Sequence, residues 1–147
     1  MADLVDPEQL ATELHSVAIH LLRRVRSSDA VLGVTPARLS ALSVLVFGGP
    51  MSLKQLADAE QVAAPTMSKM VAAMEAERLV RREADPRDGR AVRLIATRAG
   101  KQLMERGRRL RVARLAAELK ELSAAEQVTL RRAARILREL ERRRPLA

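Results

Sequence analysis

The run from Ser52 to Thr97, SLKQLADAEQVAAPTMSKMVAAMEAERLVRREADPRDGRAVRLIAT, narrows the folds open to this chain more than any other stretch. Its apolar residues recur first at helical spacing, then in two short runs on either side of a charged cluster that holds Pro and Gly. Ser52 is placed to cap a short helix and Gln55 to reach back to it, a reciprocal capping box. Leu53, Leu56 and Ala57 give that helix one apolar face, and Val62 falls in the turn that follows. A second helix opens at Ala64-Pro65, where the N–H that proline lacks is not needed. Met67, Met70, Val71 and Met74 recur at i, i+3, i+4 and i+7 and define its buried stripe. Residues 79–83 and 91–95 read as strands joined by the turn Asp85-Pro86-Arg87-Asp88-Gly89-Arg90. A short helix, a turn, a longer helix and a β-hairpin, in that order, make a winged helix-turn-helix, a device that reads nucleic acid.

At about 100° per residue, the methionine stripe leaves Pro65, Thr66, Ser68, Lys69 and Ala72 facing away or sideways. These are the residues expected to enter a groove. Thr66, Ser68 and Lys69 can hydrogen-bond to base edges, while Pro65 and Ala72 can meet thymine methyls. Strong base readers are few, so DNA shape is expected to carry much of any specificity. In the hairpin tip, Arg87 and Arg90 can reach a narrow minor groove, and Asp88 is expected to orient an arginine by a bidentate pair. Taken alone, the helix face and the turn would each pass for ordinary solvated surface. That bland reading loses weight because one follows the other directly.

The rest of the chain reads as a helical frame. Asp6 and Pro7 open a first helix that runs to about residue 28, where Ser27-Ser28-Asp29 breaks it. Leu10, Leu14, Val17, Leu21 and Val25 form its apolar stripe, widened by Ile19 and Leu22. Thr35-Pro36 begins a second helix with Leu39, Leu42, Leu45 and Val46 toward the core, stopped by Gly48-Gly49-Pro50. Phe47, the only aromatic residue, reads first as core and second as the lining of a ligand pocket. Met51 is expected to add a short third strand beside the hairpin, since two strands alone are marginal. Thr97 caps a long basic helix reaching about Leu119, and Ser123 with Glu126 makes the capping box of a last helix. That helix carries Val128, Leu130, Ala134, Leu137 and Leu140 on one stripe. The fold class expected is mainly α with a small β wing, a winged helix-turn-helix domain plus N- and C-terminal dimerisation helices. Residues 1–34 and 115–147 make the helical dimerisation region; residues 35–114 make the winged region and the start of the long linking helix.

Stripes on terminal helices outside the winged unit are most simply buried against a second copy, in a two-fold interface. Leu14, Val17 and Leu21 near one end and Leu130, Leu137 and Leu140 near the other are the residues expected there. Two reading helices related by a two-fold axis call for an inverted-repeat operator in double-stranded DNA.

The run LVRREADPRDGRAVRLIATRAG resembles the wing of the multiple-antibiotic-resistance regulator (MarR) family of bacterial transcription factors. The resemblance stands on Asp88-Gly89-Arg90, then Ala96-Thr97 and Gly100. The chain departs from the family pattern at Ala96, usually Leu. It departs again at Ala63, where a Ser or Thr cap worth roughly 1 kcal/mol often stands. The resemblance covers nearly the whole chain and implies a dimer with interlocked terminal helices, acting as a repressor. It also implies a ligand pocket between dimer base and winged unit, near His15, Ile19 and Phe47. Such a pocket would suit a small aromatic or amphipathic molecule.

A formal net charge of +9 points to a polyanionic partner. The chain has no cysteine, which removes disulfides and thiolate chemistry. His15 and His20 lie five apart, off one helix face, so no metal site is expected. No paired carboxylates in an apolar setting, nucleophile triad or phosphate loop is apparent; neither catalysis nor a cofactor is expected. No apolar run approaches the ~20 residues of a membrane span, and the acidic start is unlike a signal peptide. The expected location is therefore cytoplasmic. Two other readings remain open: an architectural DNA-binding protein with little sequence preference, and a winged fold used only between proteins. Salt dependence and the preference for operator over random duplex separate them.

Overall fold

A computed structural model describes residues 5–143. Six α-helices and one hairpin occur among them: α1 (Pro7–Arg26), α2 (Pro36–Gly48), α3 (Leu53–Ala59), α4 (Ala64–Ala76), β1 (Val80–Ala84), β2 (Val92–Ala96), α5 (Arg98–Leu119) and α6 (Ala124–Arg143). The expected class, mainly helical with a small wing, is the one observed. The chain forms two compact units, Met1–Arg111 and Val112–Ala147, and the division falls inside α5.

Helix starts follow local chemistry. Asp6 Oδ1 accepts from the Glu8 N–H at 3.1 Å, and Thr35 Oγ1 from the Arg38 N–H at 3.4 Å. Ser52 and Gln55 close both halves of their box, at 3.1 and 2.9 Å. α1 ends at Arg26 and tightens into a 3-10 helix over Ser27–Leu32, with Gly33 supplying the left-handed residue that stops it.

In the first unit the core is built from α2, α3, α4 and the hairpin. Leu42, Leu56, Met67, Val71, Met74 and Leu94 are almost wholly removed from solvent, joined by Leu45, Leu79, Val80 and Ala96. Val62, in the helix-turn-helix turn, packs on this cluster, and the turn itself is made by Gln61 at φ 54°. The strands are antiparallel, Val80 facing Ala96 and Arg82 facing Leu94. Both begin one residue later than the alternation predicts. Met51 pairs with Leu94 by two backbone bonds of 3.2 and 2.7 Å, a single-residue bridge where a short strand was expected.

Phe47 corrects the expectation that it is core: it is 80% exposed. At roughly 100° per residue it lies about 140° round α2 from Leu42, and the helix ends one residue later, before the chain can cover it.

On α5 the fully buried residues are glycines seven apart, Gly100 and Gly107. A Cβ at Gly100 would sit 2.3 Å from the Leu79 carbonyl oxygen, and one at Gly107 would sit 3.0 Å from Leu32 Cδ1. The start of α5 therefore lies closer to the hairpin than any side chain would allow. Thr97 fastens that junction: its N–H donates to Leu79 O at 2.9 Å, and its Oγ1 accepts from the Gly100 N–H at 3.1 Å.

In the second unit, Ser123 and Glu126 cap α6 as expected, the Glu126 carboxylate accepting from the Ser123 N–H at 2.8 Å. α6 buries no residue.

Candidate nucleic-acid interface

The buried stripe of α4 is the one its spacing predicts, with Met67, Val71 and Met74 inside and Met70 half-buried. The opposite face follows from it. Pro65, Thr66, Lys69 and Ala72 are exposed, and Ser68 is half-buried at the edge. Ala63 provides no side-chain cap for the first N–H groups of α4. Among the described residues Lys69 has no carboxylate partner.

The wing tip is ordered by local bonds from its backbone amides to its own aspartates. Asp85 Oδ1 accepts from the Arg87 N–H at 2.8 Å and Asp88 Oδ1 from the Arg90 N–H at 3.0 Å. The Ala91 N–H closes the turn on Asp88 O at 2.9 Å. Asp88 therefore holds the Arg90 backbone amide and not an arginine side chain, which corrects the bidentate pair expected of it. A short side chain two residues before an amide reaches that amide at no cost in ordering a long partner, and the local bond wins. Both guanidinium groups at the tip, Arg87 and Arg90, are exposed and have no carboxylate partner among the described residues.

Three ion pairs go unmarked in the sequence, two of them between residues far apart in the chain. Arg38 on α2 meets Glu77, the residue that ends α4. Arg82 on β1 meets Glu75 of α4, with its Nε 3.1 Å from both carboxylate oxygens. Arg111 of α5 meets Asp29 at 2.7 Å. The alternation Val80, Arg82, Ala84 places Arg82 on the same face as buried Val80, a signal that could have marked it.

The expected pocket residues are not brought together in the single chain. A cavity of about 540 Å³ is lined by Leu22, Arg26, Asp29, Leu39, Met104 and Arg111 among others, without His15, Ile19 or Phe47. Phe47 borders a second cavity of about 390 Å³ with Val46, Lys101 and Arg108. The expected interface residues Leu14, Val17, Leu21, Leu130, Leu137 and Leu140 are all exposed in the single chain. No group of ligands suited to a metal ion occurs among the described residues. No single described helix is long and apolar enough to cross a membrane.

An exposed helix face carrying Thr66 and Lys69 beside a basic hairpin, on a shared aliphatic core, defines a winged helix-turn-helix DNA-binding protein. The sequence pattern of the MarR family matches residues 32–91. An uncharacterized HTH-type transcriptional regulator of Mycobacterium leprae is 33% identical over 132 residues, 90% of this chain and 92% of the relative. The chain thus belongs to the MarR family, whose members are transcriptional regulators and not enzymes. The fold recurs in a transcriptional regulator from Thermotoga maritima, with a TM-score of 0.83 at 24% identity, covering 92% of this chain and 96% of that one. It recurs in a mutant of S. aureus MepR bound to an oligodeoxyribonucleotide, with a TM-score of 0.69 at 19% identity, covering 89% and 97%.

Proposed function

We propose that this protein is a dimeric repressor that reads an inverted-repeat operator and leaves it when a small molecule binds. The observation that carries the DNA part is the pairing, on one unit, of the open α4 face with a wing whose Arg87 and Arg90 have no carboxylate partner among the described residues. Lys69, Thr66 and Ser68 meet base edges in the major groove, Pro65 and Ala72 meet thymine methyls, and the wing arginines track the minor groove. Asp88 contributes by ordering the turn that presents Arg90. The oligodeoxyribonucleotide bound to a MepR mutant, on the same fold, supports DNA as the partner.

Dimerism rests on apolar surface. α1 leaves Leu14, Val17 and Leu21 exposed, and α6 leaves Leu130, Leu137 and Leu140 exposed. Burying one leucine is worth roughly 1.5–3 kcal/mol, so a second copy covering these stripes gains enough to form a stable pair. Residues 1–34 and 115–147 then serve as the dimerisation region, and 35–114 as the reading region. The ligand part rests on the cavity beside Leu22, Leu39 and Met104, whose aliphatic walls and Arg26 suit an amphipathic molecule bearing an aromatic ring or a carboxylate. Selection of bound duplexes from random DNA tests the whole reading. The expected yield is a palindrome with half-sites ~10 bp apart, centre to centre. Recovery of unrelated sequences would favour an architectural role instead.

A further inference from the structure

The first unit holds arginines in two distinct states. Arg87 and Arg90 are exposed and without a carboxylate partner among the described residues, whereas Arg38 and Arg82 each end on a glutamate of the reading helix or its cap. We propose that Arg38 and Arg82 are positioning residues, which set the pose of α4 without touching DNA. This inference rests on the reading that α4 binds DNA.

Strand geometry supplies the first reason. Arg82 faces Leu94 across the hairpin, on the face that carries buried Val80 and Ala96, and its side chain, still exposed, leaves the sheet on the side of α4. There Glu75 takes its Nε on both oxygens, at 3.1 Å each. Arg38 is held from two sides, by Glu77 and by the Thr35 hydroxyl 3.3 Å from its Nε. These bonds occupy the Nε of Arg82 and both Nε and Nη1 of Arg38, and tie each guanidinium to its partner. Glu75 and Glu77 lie at one end of α4, and their arginines come from different elements, β1 and α2. The two pairs fix that end of the helix against both neighbours, while its other end follows the turn at Gln61. The angle between α4 and the wing decides whether both can engage one duplex, so these pairs govern specificity more than total charge.

Opposite signs make the test decisive. The probe is the duplex recovered by selection, titrated beside a random duplex of equal length at several salt concentrations. Glu75→Gln, Glu77→Gln and Arg82→Gln should each lower the ratio of operator to random affinity by about two- to fivefold, the scale of one exposed ion pair. The double variant Glu75→Gln with Arg82→Gln should lose no more than either single one. The exchanged pair, Glu75→Arg with Arg82→Glu, keeps the net charge and should restore the ratio. Were Arg82 a phosphate contact, Glu75→Gln would free it and raise affinity for both duplexes, and Arg82→Gln would lower the salt slope by about 1. Either result overturns the positioning role, as does an exchanged pair that melts like the parent yet keeps the reduced ratio. A parent that binds no duplex at all overturns the underlying DNA reading instead.

Discussion

Gly100→Ala adds one methyl group where α5 passes the hairpin. The new carbon would stand 2.3 Å from Leu79 O and 3.1 Å from Leu42 Cδ1. An ordinary carbon–oxygen contact is about 3.3 Å, so two backbone segments must separate by about 1 Å. Overpacking of this kind costs about 1–3 kcal/mol. Separation also strains the bonds of Thr97 to Leu79 O and to Arg78 O, at 2.9 and 2.6 Å. Each such bond contributes about 1 kcal/mol. Alanine's better helix propensity returns about 1 kcal/mol. The net expectation is a loss of about 2–4 kcal/mol, a fall in melting temperature on the order of 10 °C. Thermal unfolding followed by circular dichroism measures it. Gly89→Ala is the control: nothing lies within 4 Å of its added carbon, so it should melt within about 2 °C of the parent. If Gly100→Ala melts with the parent, the close approach of α5 to Leu79 does not hold the winged unit together.

Arg78, just past the end of α4, has φ 57°, a left-handed conformation that costs an L-residue about 1 kcal/mol. Arg78→Gly should therefore raise the urea midpoint slightly; a lower midpoint would mean that the arginine side chain contributes more than its backbone costs. Leu137→Asp places a charge on the exposed stripe of α6 and should yield monomers with far weaker operator binding; a variant that sediments as a dimer takes α6 out of the interface. Glu126 is held below the ordinary glutamate range by the Ser123 hydroxyl and then by the Ser123 N–H, against a small opposing effect of burial. Its folded pKa lies below its unfolded one, so its contribution to α6 is complete above about pH 4.5 and lost as pH falls through the lowered value. The parent should be more helical than Glu126→Ala at neutral pH, and the gap should close in acid; a gap constant with pH contradicts the capping role.

What the sequence shows of this fold is what neighbours in the chain decide among themselves. Ser52 with Gln55, Thr35 before Pro36, Asp6 before Pro7 and Ser123 with Glu126 each place a helix start, because donor and acceptor lie within three residues. The methionine period of α4 fixes its buried side, and hence its open one. Distance along the chain hides the rest. Arg38 and Glu77 are 39 residues apart and Asp29 and Arg111 are 82 apart, so nothing local joins them. Asp88 had two partners within reach, a nearby amide and a nearby guanidinium, and its position alone does not rank them. Gly100 belongs to the family pattern, but its physical reason, the Leu79 carbonyl, appears only when the hairpin is folded back on α5.

Titration of the selected duplex and of a scrambled one, with parent and Lys69→Ala at the same salt, bears most directly on sequence-specific reading by α4. The parent should favour the selected duplex by at least ~10³. Lys69→Ala should lose roughly 1–3 kcal/mol on it and less on the scrambled one. Equal affinity of the parent for both duplexes would contradict sequence-specific reading.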